Sequence, residues 1–160
     1  MKYVLIIGAK NELGIELANL YARNNYNLYL AGRSIKDIQD KSREIEKKYK
    51  VKSVLCELDV TDYNSHQKIY DTLTIKPIGV IYLAGYYPNI PFSTSKWSET
   101  LRTIEINYLG CMSLLNIISK QFISDRRGFI ISVTSVSGLR GRAKNYIYGS
   151  AKAGLITYMS

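Results

Sequence analysis

Three side chains late in the sequence are of the types that protonate a carbonyl oxygen. Tyr148 and Lys152 are four residues apart, so a helix would place them on one face, and Ser135 lies thirteen residues before the tyrosine. A phenol beside an ammonium and a hydroxyl can protonate an oxygen that gains negative charge. A Tyr–Lys pair by itself more often marks a solvated surface helix, so the interpretation depends on the elements that would position these groups.

The N-terminal residues have the order strand, glycine turn, helix. Residues 3–7 are an uninterrupted apolar run, typical of a strand that is covered on both faces. Gly8 and Gly14 enclose the turn that follows, and the apolar side chains after the turn have helical spacing. Because a glycine turn and a helix start favour an anion, this order predicts a dinucleotide phosphate site; the alternative is an ordinary strand-to-helix turn.

A basic side chain follows the second predicted strand. The run 27–32 ends at Gly32, and Arg33 comes next. In dinucleotide folds this position meets the adenosine ribose, where an acid binds the hydroxyls of NAD and an arginine accommodates a 2′-phosphate. Arg33 therefore favours NADP(H) over NAD(H), with Lys10 in the glycine turn as a second cation; the alternative is a solvated loop charge.

Strands and helices alternate along the chain, which predicts an α/β fold: a doubly wound Rossmann sheet in three α/β/α layers. The expected strand order is 3-2-1-4-5 in a single NAD(P)-binding domain over residues 1–160, with the ligand crevice between strands 1 and 4. The strands are predicted at residues 2–8, 27–32, 52–57, 78–84 and 128–134. The helices are predicted at residues 12–24, 34–49, 62–75, 97–123 and 146–160.

Polar residues and prolines predict helix starts and one loop. Thr61 or Asp62 would cap the third helix, and Ser93 to Ser95 would cap the fourth. Residues 85–92 contain two prolines and are predicted to form a loop. Since this loop leaves the carboxyl end of the fourth strand, it would line a substrate cleft.

The composition argues against several classes of protein. At 46% hydrophobic and 22% charged residues the chain can bury a core. Its apolar stretches are too short for a membrane span or a secretory signal, so a cytoplasmic protein without integral membrane contact is expected. The net charge is +9, but the densest basic cluster, at 41–52, is interleaved with glutamates and predicts a solvated helix face rather than nucleic-acid binding. Cys56 and Cys111 match no metal spacing; they are expected to be buried free thiols, and no metal is expected.

Taken together, these segments resemble the short-chain dehydrogenase/reductase family over all 160 residues. The family's glycine pattern aligns with residues 7–14, its acidic residue after the third strand with Asp59, and its Asn-Asn-Ala-Gly motif with residues 82–85. Its helix asparagine aligns with Asn107, and its serine, tyrosine and lysine align with the three side chains named first. No single motif is specific, but their order and spacing are.

The resemblance implies an oxidoreductase that reduces a carbonyl to an alcohol by hydride transfer from NAD(P)H. Tyr148 would donate the proton, Lys152 would favour the phenolate, Ser135 would orient the carbonyl oxygen, and Asn107 would support a water that touches Lys152. Asp59 would hold the adenine amino group. The implied cofactor-binding residues are Gly8, Lys10, Asn11, Leu13, Gly14, Arg33, Asp59, Val60, Ala84, Gly85, Tyr148 and Lys152. A homodimer or homotetramer, formed through the helices at 97–123 and from 146 onward, is also implied.

A narrower likeness bears on the substrate. Residues 135–155 are similar to keto-sugar reductases that act on polyprenyl-phosphate-linked pentoses, the decaprenylphospho-ketoribose reductase type. Arg140, Arg142 and Lys144 would then meet a phosphate on the substrate; the alternative is a solvated basic loop. An enzyme like 3-oxoacyl-carrier-protein reductase is a further alternative.

The sequence departs from the family pattern in three places. Glu12 stands at the middle glycine, and Tyr82 with Leu83 replaces the paired asparagine, so strand-bridging contacts must come from elsewhere. Family members continue past the equivalent of Ser160, so we expect an N-terminal portion of such an enzyme, with its C-terminal part missing. These departures favour the alternative of a non-catalytic nucleotide-binding module or an inactive fragment; a nucleic-acid binder is a third possibility.

Overall fold

A five-stranded parallel sheet forms the centre of the molecule, in the order β3-β2-β1-β4-β5. The structure is a computed structural model, and it describes residues 1–88 and 96–160. The strands are β1 Tyr3–Ile7, β2 Asn27–Gly32, β3 Ser53–Glu57, β4 Gly79–Tyr82 and β5 Phe129–Ser132. The helices are α1 Glu12–Arg23, α2 Lys36–Tyr49, α3 Tyr63–Thr72, α4 Trp97–Ile104, α5 Gly110–Ser124 and α6 Tyr146–Met159. The doubly wound fold and its strand order are therefore confirmed.

Each face of the sheet carries its own apolar core. Because side chains alternate along a strand, β1 sends Leu5 and Ile7 to one core and Val4 and Ile6 to the other. The first core contains residues of α3, α5 and α6, and the second contains residues of α1 and α2. The switch in direction between β1 and β4 leaves a crevice at the carboxyl ends of these two strands.

The predicted helix at 97–123 is wrong as one continuous α-helix. A π-helical turn, Glu105–Leu109, separates α4 from α5. Such turns add one residue to the helical repeat and are often found at functional sites. Asn107 lies in this turn and is fully buried, while Gly110 begins α5 where a β-carbon would lie 2.4 Å from the carbonyl oxygen of Val60. The turn thus fits the chain closely against the segment after β3.

Several predicted boundaries and contacts also change. Asp62 occupies the N-cap of α3 but makes no capping bond with its side chain, and the hydroxyl of Thr61, the other predicted cap, donates to Asp59. The helix ends at Thr72, since Leu73 has an extended backbone. The predicted cap by Ser93 to Ser95, and residues 89–92 of the predicted loop at 85–92, lie outside the described residues.

Both cysteines are free thiols, as predicted, but only one of them is fully buried. Cys111 is fully buried in α5, whereas Cys56 on the edge strand β3 is half-buried. Burial raises the pKa of each thiol to about 11, so both are protonated near neutral pH. No helix within residues 1–88 and 96–160 is long and apolar enough to cross a membrane.

Candidate functional site

The glycine turn brings the ends of β1 and β4 into backbone contact. Gly8 has φ +87°, and a β-carbon there would lie 2.6 Å from the backbone nitrogen of Ala84. The amides of Gly8 and Ala9 both donate to the carbonyl oxygen of Ala31, at 2.8 and 3.2 Å. Gly8 therefore acts by close approach and by its positive φ, while its own N–H is bound within the protein.

The start of α1 faces the same crevice. The Asn11 side chain accepts a hydrogen bond of 2.7 Å from the amide of Gly14, which caps the helix. A β-carbon on Gly14 would overlap Ala9, so this glycine serves packing. The amides of Glu12 and Leu13 precede any intrahelical acceptor and remain as donors for an anion. The side chain of Glu12 is exposed, so it can turn away from a bound phosphate.

Two cations and two acids stand at the outer end of the crevice. Lys10 forms an ion pair with Asp37 in α2, an acid that the sequence pattern does not single out. The bound Lys10 ammonium lowers the pKa of the Asp37 carboxyl. Arg33 is exposed at the end of β2, and its charge acts on Asp59. The cations predicted to meet a 2′-phosphate thus line one cavity, but one of them already has a partner.

Asp59 is held in place by its neighbour. Its Oδ1 accepts from the amide and the hydroxyl of Thr61, at 2.9 and 2.8 Å. Burial alone would raise the pKa of Asp59, but these hydrogen bonds and the charges of Arg33 and His66 outweigh it, and the pKa is lowered. The carboxylate is therefore ionised near neutral pH, and Oδ2 has no hydrogen bond within the described part of the chain.

A cavity of about 590 Å³ connects these groups. Of the ten residues predicted to bind only the cofactor, eight line it: Gly8, Lys10, Asn11, Arg33, Asp59, Val60, Ala84 and Gly85. A second cavity of about 390 Å³ shares Asn11 and Leu83 with the first and adds Glu12, Leu13 and Val133. The two cavities form a groove that runs from Arg33, past the glycine turn, to the carboxyl end of β5.

Tyr82, which stands where the family pattern has an asparagine, connects the end of β4 to the helical layer rather than to a second strand. Its side chain is fully buried, and its hydroxyl donates to the carbonyl oxygen of Ile106 at 2.8 Å. This bond ties the end of β4 to the π-helical turn. Burial raises the pKa of Tyr82, so the phenol stays neutral and serves structure rather than proton transfer.

Lys152 is buried and bonds to Val133, a residue that lines the second cavity of the groove. Its side chain is 4% exposed, and Nζ donates to the carbonyl oxygen of Val133 at 2.9 Å. Val133 follows β5 directly, so the lysine is fixed at the carboxyl edge of the sheet, as the sequence predicts. Burial lowers the pKa of Lys152 from its ordinary value.

The Tyr148 ring lies between Lys152 and a second tyrosine. The Lys152 Nζ is 5.7 Å from the centroid of the Tyr148 ring, so the helix brings the two predicted groups together. On another side, Tyr87 meets the same ring edge to face, with centroids 5.1 Å apart. Tyr87 is more than half exposed. The sequence does not single it out, but it belongs to the loop at 85–92 that is predicted to line the substrate cleft, and its place two residues after Gly85 is the signal that could have identified it.

Ser135 lies three residues after β5, beside the start of α6. Its Oγ accepts a hydrogen bond of 3.2 Å from the amide of Ser137 and caps a 3-10 turn, Val136–Gly138. The alternative interpretation of this serine from the sequence is a cap at the strand end; the structure shows it capping the 3-10 turn that follows, and its catalytic role stays a prediction. With a lone pair occupied by the amide, the hydroxyl proton is free to be donated to a substrate oxygen.

The side chain of Asn107 is used within the protein. Its Nδ2 donates to the carbonyl oxygens of Tyr86 and Thr103, at 2.7 and 2.9 Å, and its Oδ1 accepts from the amide of Tyr86 at 3.3 Å. The side chain fixes the segment after β4 against the helix. The predicted water between Asn107 and Lys152 stays a prediction.

Replacing Asn107 by alanine should destabilise the fold. The change removes the three hydrogen bonds of a fully buried amide, one buried and two partly buried, so we expect the free energy of unfolding to fall by about 2–4 kcal/mol. Urea titration would measure it. The control is Asn24→Ala at the C-cap of α1. It removes one exposed hydrogen bond, from the Asn24 side chain to the carbonyl oxygen of Leu20, and should cost less than about 1 kcal/mol. Equal losses in the two variants would refute the structural role of Asn107.

The donor set suits a dinucleotide. A glycine turn with positive φ, free amides at a helix start, an ionised carboxylate and two cations follow one another along one groove. The Tyr148 phenol lies beside the buried Lys152 ammonium, which bonds to Val133 at the end of this groove. Among the described residues no cluster of three or more histidine, cysteine, aspartate or glutamate side chains could hold a metal ion.

Comparisons with known proteins agree with this geometry. The sequence profile of the short-chain dehydrogenase family matches residues 2–160. An uncharacterized oxidoreductase of Listeria monocytogenes is 30% identical over 155 residues, which cover 94% of this chain and 62% of the relative. An NADP-dependent 3-hydroxy acid dehydrogenase of Schizosaccharomyces pombe is 27% identical over 165 residues, covering 99% of this chain and 63% of that protein. The chain thus spans less than two thirds of the length of these relatives.

Solved structures share the fold. A short-chain dehydrogenase from Sphingobium yanoikuyae in complex with NADPH superposes with a TM-score of 0.90 at 22% identity, over 99% of this chain and 63% of that one. A xylitol dehydrogenase bound to NAD⁺ gives a TM-score of 0.91 at 22% identity, over 98% and 62%. Both nicotinamide cofactors therefore occur among proteins with this fold.

Proposed function

This chain belongs to the short-chain dehydrogenase family, and we propose that it provides the cofactor site and the proton donor of an NADP(H)-dependent carbonyl reductase. The observation that carries the proposal is the buried Lys152 ammonium 5.7 Å from the centroid of the Tyr148 ring, and bonded to Val133, which lines the groove where the residues predicted to bind the cofactor lie. A bound nicotinamide would supply a hydride to the carbonyl carbon. The residues of this chain would bind the dinucleotide, orient the carbonyl and deliver a proton to its oxygen.

Proton delivery would use the three predicted side chains in distinct roles. The Ser135 hydroxyl would donate a hydrogen bond to the carbonyl oxygen and hold it near the phenol. Tyr148 would transfer its proton to that oxygen as negative charge develops there. Lys152, held by Val133, would stabilise the phenolate that remains. Tyr87, edge to face with Tyr148, would form the wall against which a substrate packs.

The preference for NADP(H) rests on Arg33, and its removal gives a test. Arg33→Ala should weaken NADPH binding about 10- to 100-fold and change NADH binding little, because the lost charge-assisted bonds go to the 2′-phosphate alone. Fluorescence titration with both cofactors would measure this. Arg127→Ala, near the opposite end of the sheet, is the control. Equal weakening of both cofactors would contradict the assigned role of Arg33.

The substrate proposed is a keto-sugar or another carbonyl compound that carries a phosphate. Residues 126–160 contain six of the 22 basic residues and none of the 13 acidic ones. Arg140, Arg142 and Lys144 are exposed between Ser135 and Tyr148, and no ion pair engages them within the described chain. Their charges would favour an anion beside the reacting carbonyl.

A double variant tests the phosphate proposal. Arg140→Ala with Arg142→Ala should raise the KM of a phosphorylated keto-sugar about tenfold or more and leave the KM of an uncharged ketone unchanged. Steady-state rates with the two substrates would show it. An unchanged KM for the phosphorylated substrate would remove the proposal and leave a solvated basic loop.

A 3-oxoacyl thioester is the second candidate substrate. A very-long-chain 3-oxoacyl-CoA reductase of Phaeosphaeria nodorum is 27% identical to this chain over 166 residues, 99% of the chain and 48% of that protein. A homodimer or homotetramer and a cytoplasmic location remain predictions.

The competing proposal is a module that binds the nucleotide without turnover. One assay distinguishes it from the reductase: NADPH is added first, and a carbonyl compound second. Binding followed by carbonyl-dependent oxidation supports the reductase.

A further inference from the structure

The loop after β5 is joined to the start of α6 by a short hydrogen-bonded path. Asn145, the N-cap residue of α6, donates from Nδ2 to the Ser137 hydroxyl at 2.9 Å. The amide of Ser137 in turn donates to Ser135 Oγ at 3.2 Å. From this path we infer that Asn145 and Ser137 are positioning residues, which fix the Ser135 hydroxyl relative to the Tyr148 phenol. The inference rests on the carbonyl reductase proposed above.

Within residues 1–88 and 96–160 the side chain of Asn145 makes no other hydrogen bond. Its Oδ1 is buried without a hydrogen-bond partner among the described residues, and its Nδ2 bonds only to Ser137. A half-satisfied buried amide is costly, so its presence calls for a compensating role. The backbone of Asn145 accepts from the amide of Gly149, within one turn of Tyr148. Asn145 therefore forms hydrogen bonds both to the helix that carries the Tyr148 phenol and to the loop that carries the Ser135 hydroxyl.

Two glycines allow the loop and the helix to touch. A β-carbon on Gly138 would lie 2.8 Å from the carbonyl carbon of Lys152, and one on Gly149 would lie 2.8 Å from the carbonyl oxygen of Ser137. The loop thus packs backbone to backbone on the turn of α6 that contains Tyr148 and Lys152. This close backbone contact restricts the movement of the loop that carries Ser135 relative to α6. The Asn145–Ser137 hydrogen bond restricts it further.

The path predicts a selective loss of rate. Asn145→Ala and Ser137→Ala should each lower kcat about 10- to 100-fold, since small displacements of reacting groups have effects of this size. The Kd for NADPH should not change, because neither residue lines the cofactor groove. Asn116→Ala is the matched control. The side-chain oxygen of Asn116 in α5 accepts a hydrogen bond from Tyr158, which lies in α6 like Tyr148 but away from Ser135. In this variant kcat should stay within about twofold of wild type.

A double-mutant cycle distinguishes positioning from general stability. If Asn145 acts through Ser135, Asn145→Ala will lower kcat no further in a Ser135→Ala background. Additive losses, or losses matched by a fall in melting temperature, would overturn the inference. Ser137→Ala repeats the cycle with a smaller change should Asn145→Ala not fold.

Amide hydrogen exchange provides a readout that does not need turnover. In the free protein, the Ser137 amide should exchange at least tenfold faster in Asn145→Ala than in wild type, and no faster in Asn116→Ala. Unchanged exchange would overturn the positioning role whatever the activity. A wild-type protein that reduces no carbonyl, yet shows the faster exchange in the variant, would refute the proposed reaction and leave the positioning of Ser135 intact.

Discussion

A Gly8→Ala variant will lose several kcal/mol of stability and will not bind a dinucleotide. At φ +87° any side chain is strained, and its β-carbon would lie 2.6 Å from the backbone of Ala84, which cannot move without breaking the β1–β4 contact. Strain and overlap together should lower the free energy of unfolding by about 2–5 kcal/mol, a large part of the 5–15 kcal/mol typical of a domain.

Gly32→Ala is the matched control. Gly32 lines the same cavity, but a β-carbon there meets no atom within 4 Å, and its φ is not in the left-handed region. Thermal unfolding and NADPH titration of both variants would show whether the losses come from the close approach and positive φ of Gly8. The alternative is that replacing any glycine that lines the cavity causes them. If Gly8→Ala bound NADPH as wild type does, the assignment of the phosphate site would be wrong.

A Tyr148→Phe variant will bind NADPH normally but reduce carbonyls about 10²- to 10⁴-fold more slowly, the usual contribution of a general acid. Its hydroxyl makes no hydrogen bond to any described residue, and the ring contacts with Tyr87 and Lys152 would survive the change. Folding should therefore be unaffected. Tyr158→Phe on the same helix removes a hydroxyl bonded to Asn116 and should keep the wild-type rate. Similar rates in both variants would exclude Tyr148 as the proton donor.

Lys152→Met will separate catalysis from stability. The ammonium is buried with one hydrogen bond to a backbone oxygen, so a methionine of similar shape should leave the melting temperature equal or higher while the rate falls. A marked fall in melting temperature would show that the lysine is retained for stability.

The same lysine predicts a pH dependence of stability. Burial lowers the pKa of Lys152 in the folded state below its ordinary value of 10.5. At a pH between the folded-state pKa and 10.5, the unfolded chain therefore binds more protons than the folded chain. Stability relative to Lys152→Met should therefore rise with pH through this window and stay constant below it. Urea titrations of both proteins across the alkaline range would show the rise, and a fall would contradict the direction of the shift.

The sheet could be predicted because its signals are local. Apolar runs, glycine turns and helical spacing each extend over a few residues, and a parallel α/β sheet allows few strand orders. The face shared by Tyr148 and Lys152 follows from helical geometry alone. Eight of the ten residues predicted to bind only the cofactor line one cavity for the same reason: they follow the carboxyl ends of successive strands.

What could not be predicted depends on contacts between distant residues. The π-helical turn at Asn107 leaves the three- and four-residue spacing almost unchanged, so the sequence shows one long helix. The Lys10–Asp37 ion pair joins residues 27 positions apart. Two hydrogen bonds likewise depend on how distant elements pack, which no single segment of the sequence shows. They run from the Gly8 amide to the carbonyl oxygen of Ala31 and from the Tyr82 hydroxyl to the carbonyl oxygen of Ile106.

The most direct test follows nicotinamide absorbance after the protein, saturated with NADPH, receives a panel of ketones, 3-oxoacyl thioesters and phosphorylated keto-sugars. The proposed function predicts oxidation of NADPH that requires the carbonyl compound, persists in Tyr158→Phe and is lost in Tyr148→Phe. Oxidation that survives in Tyr148→Phe would contradict proton transfer by this phenol. Binding of NADPH with no oxidation by any carbonyl compound would contradict the reductase itself.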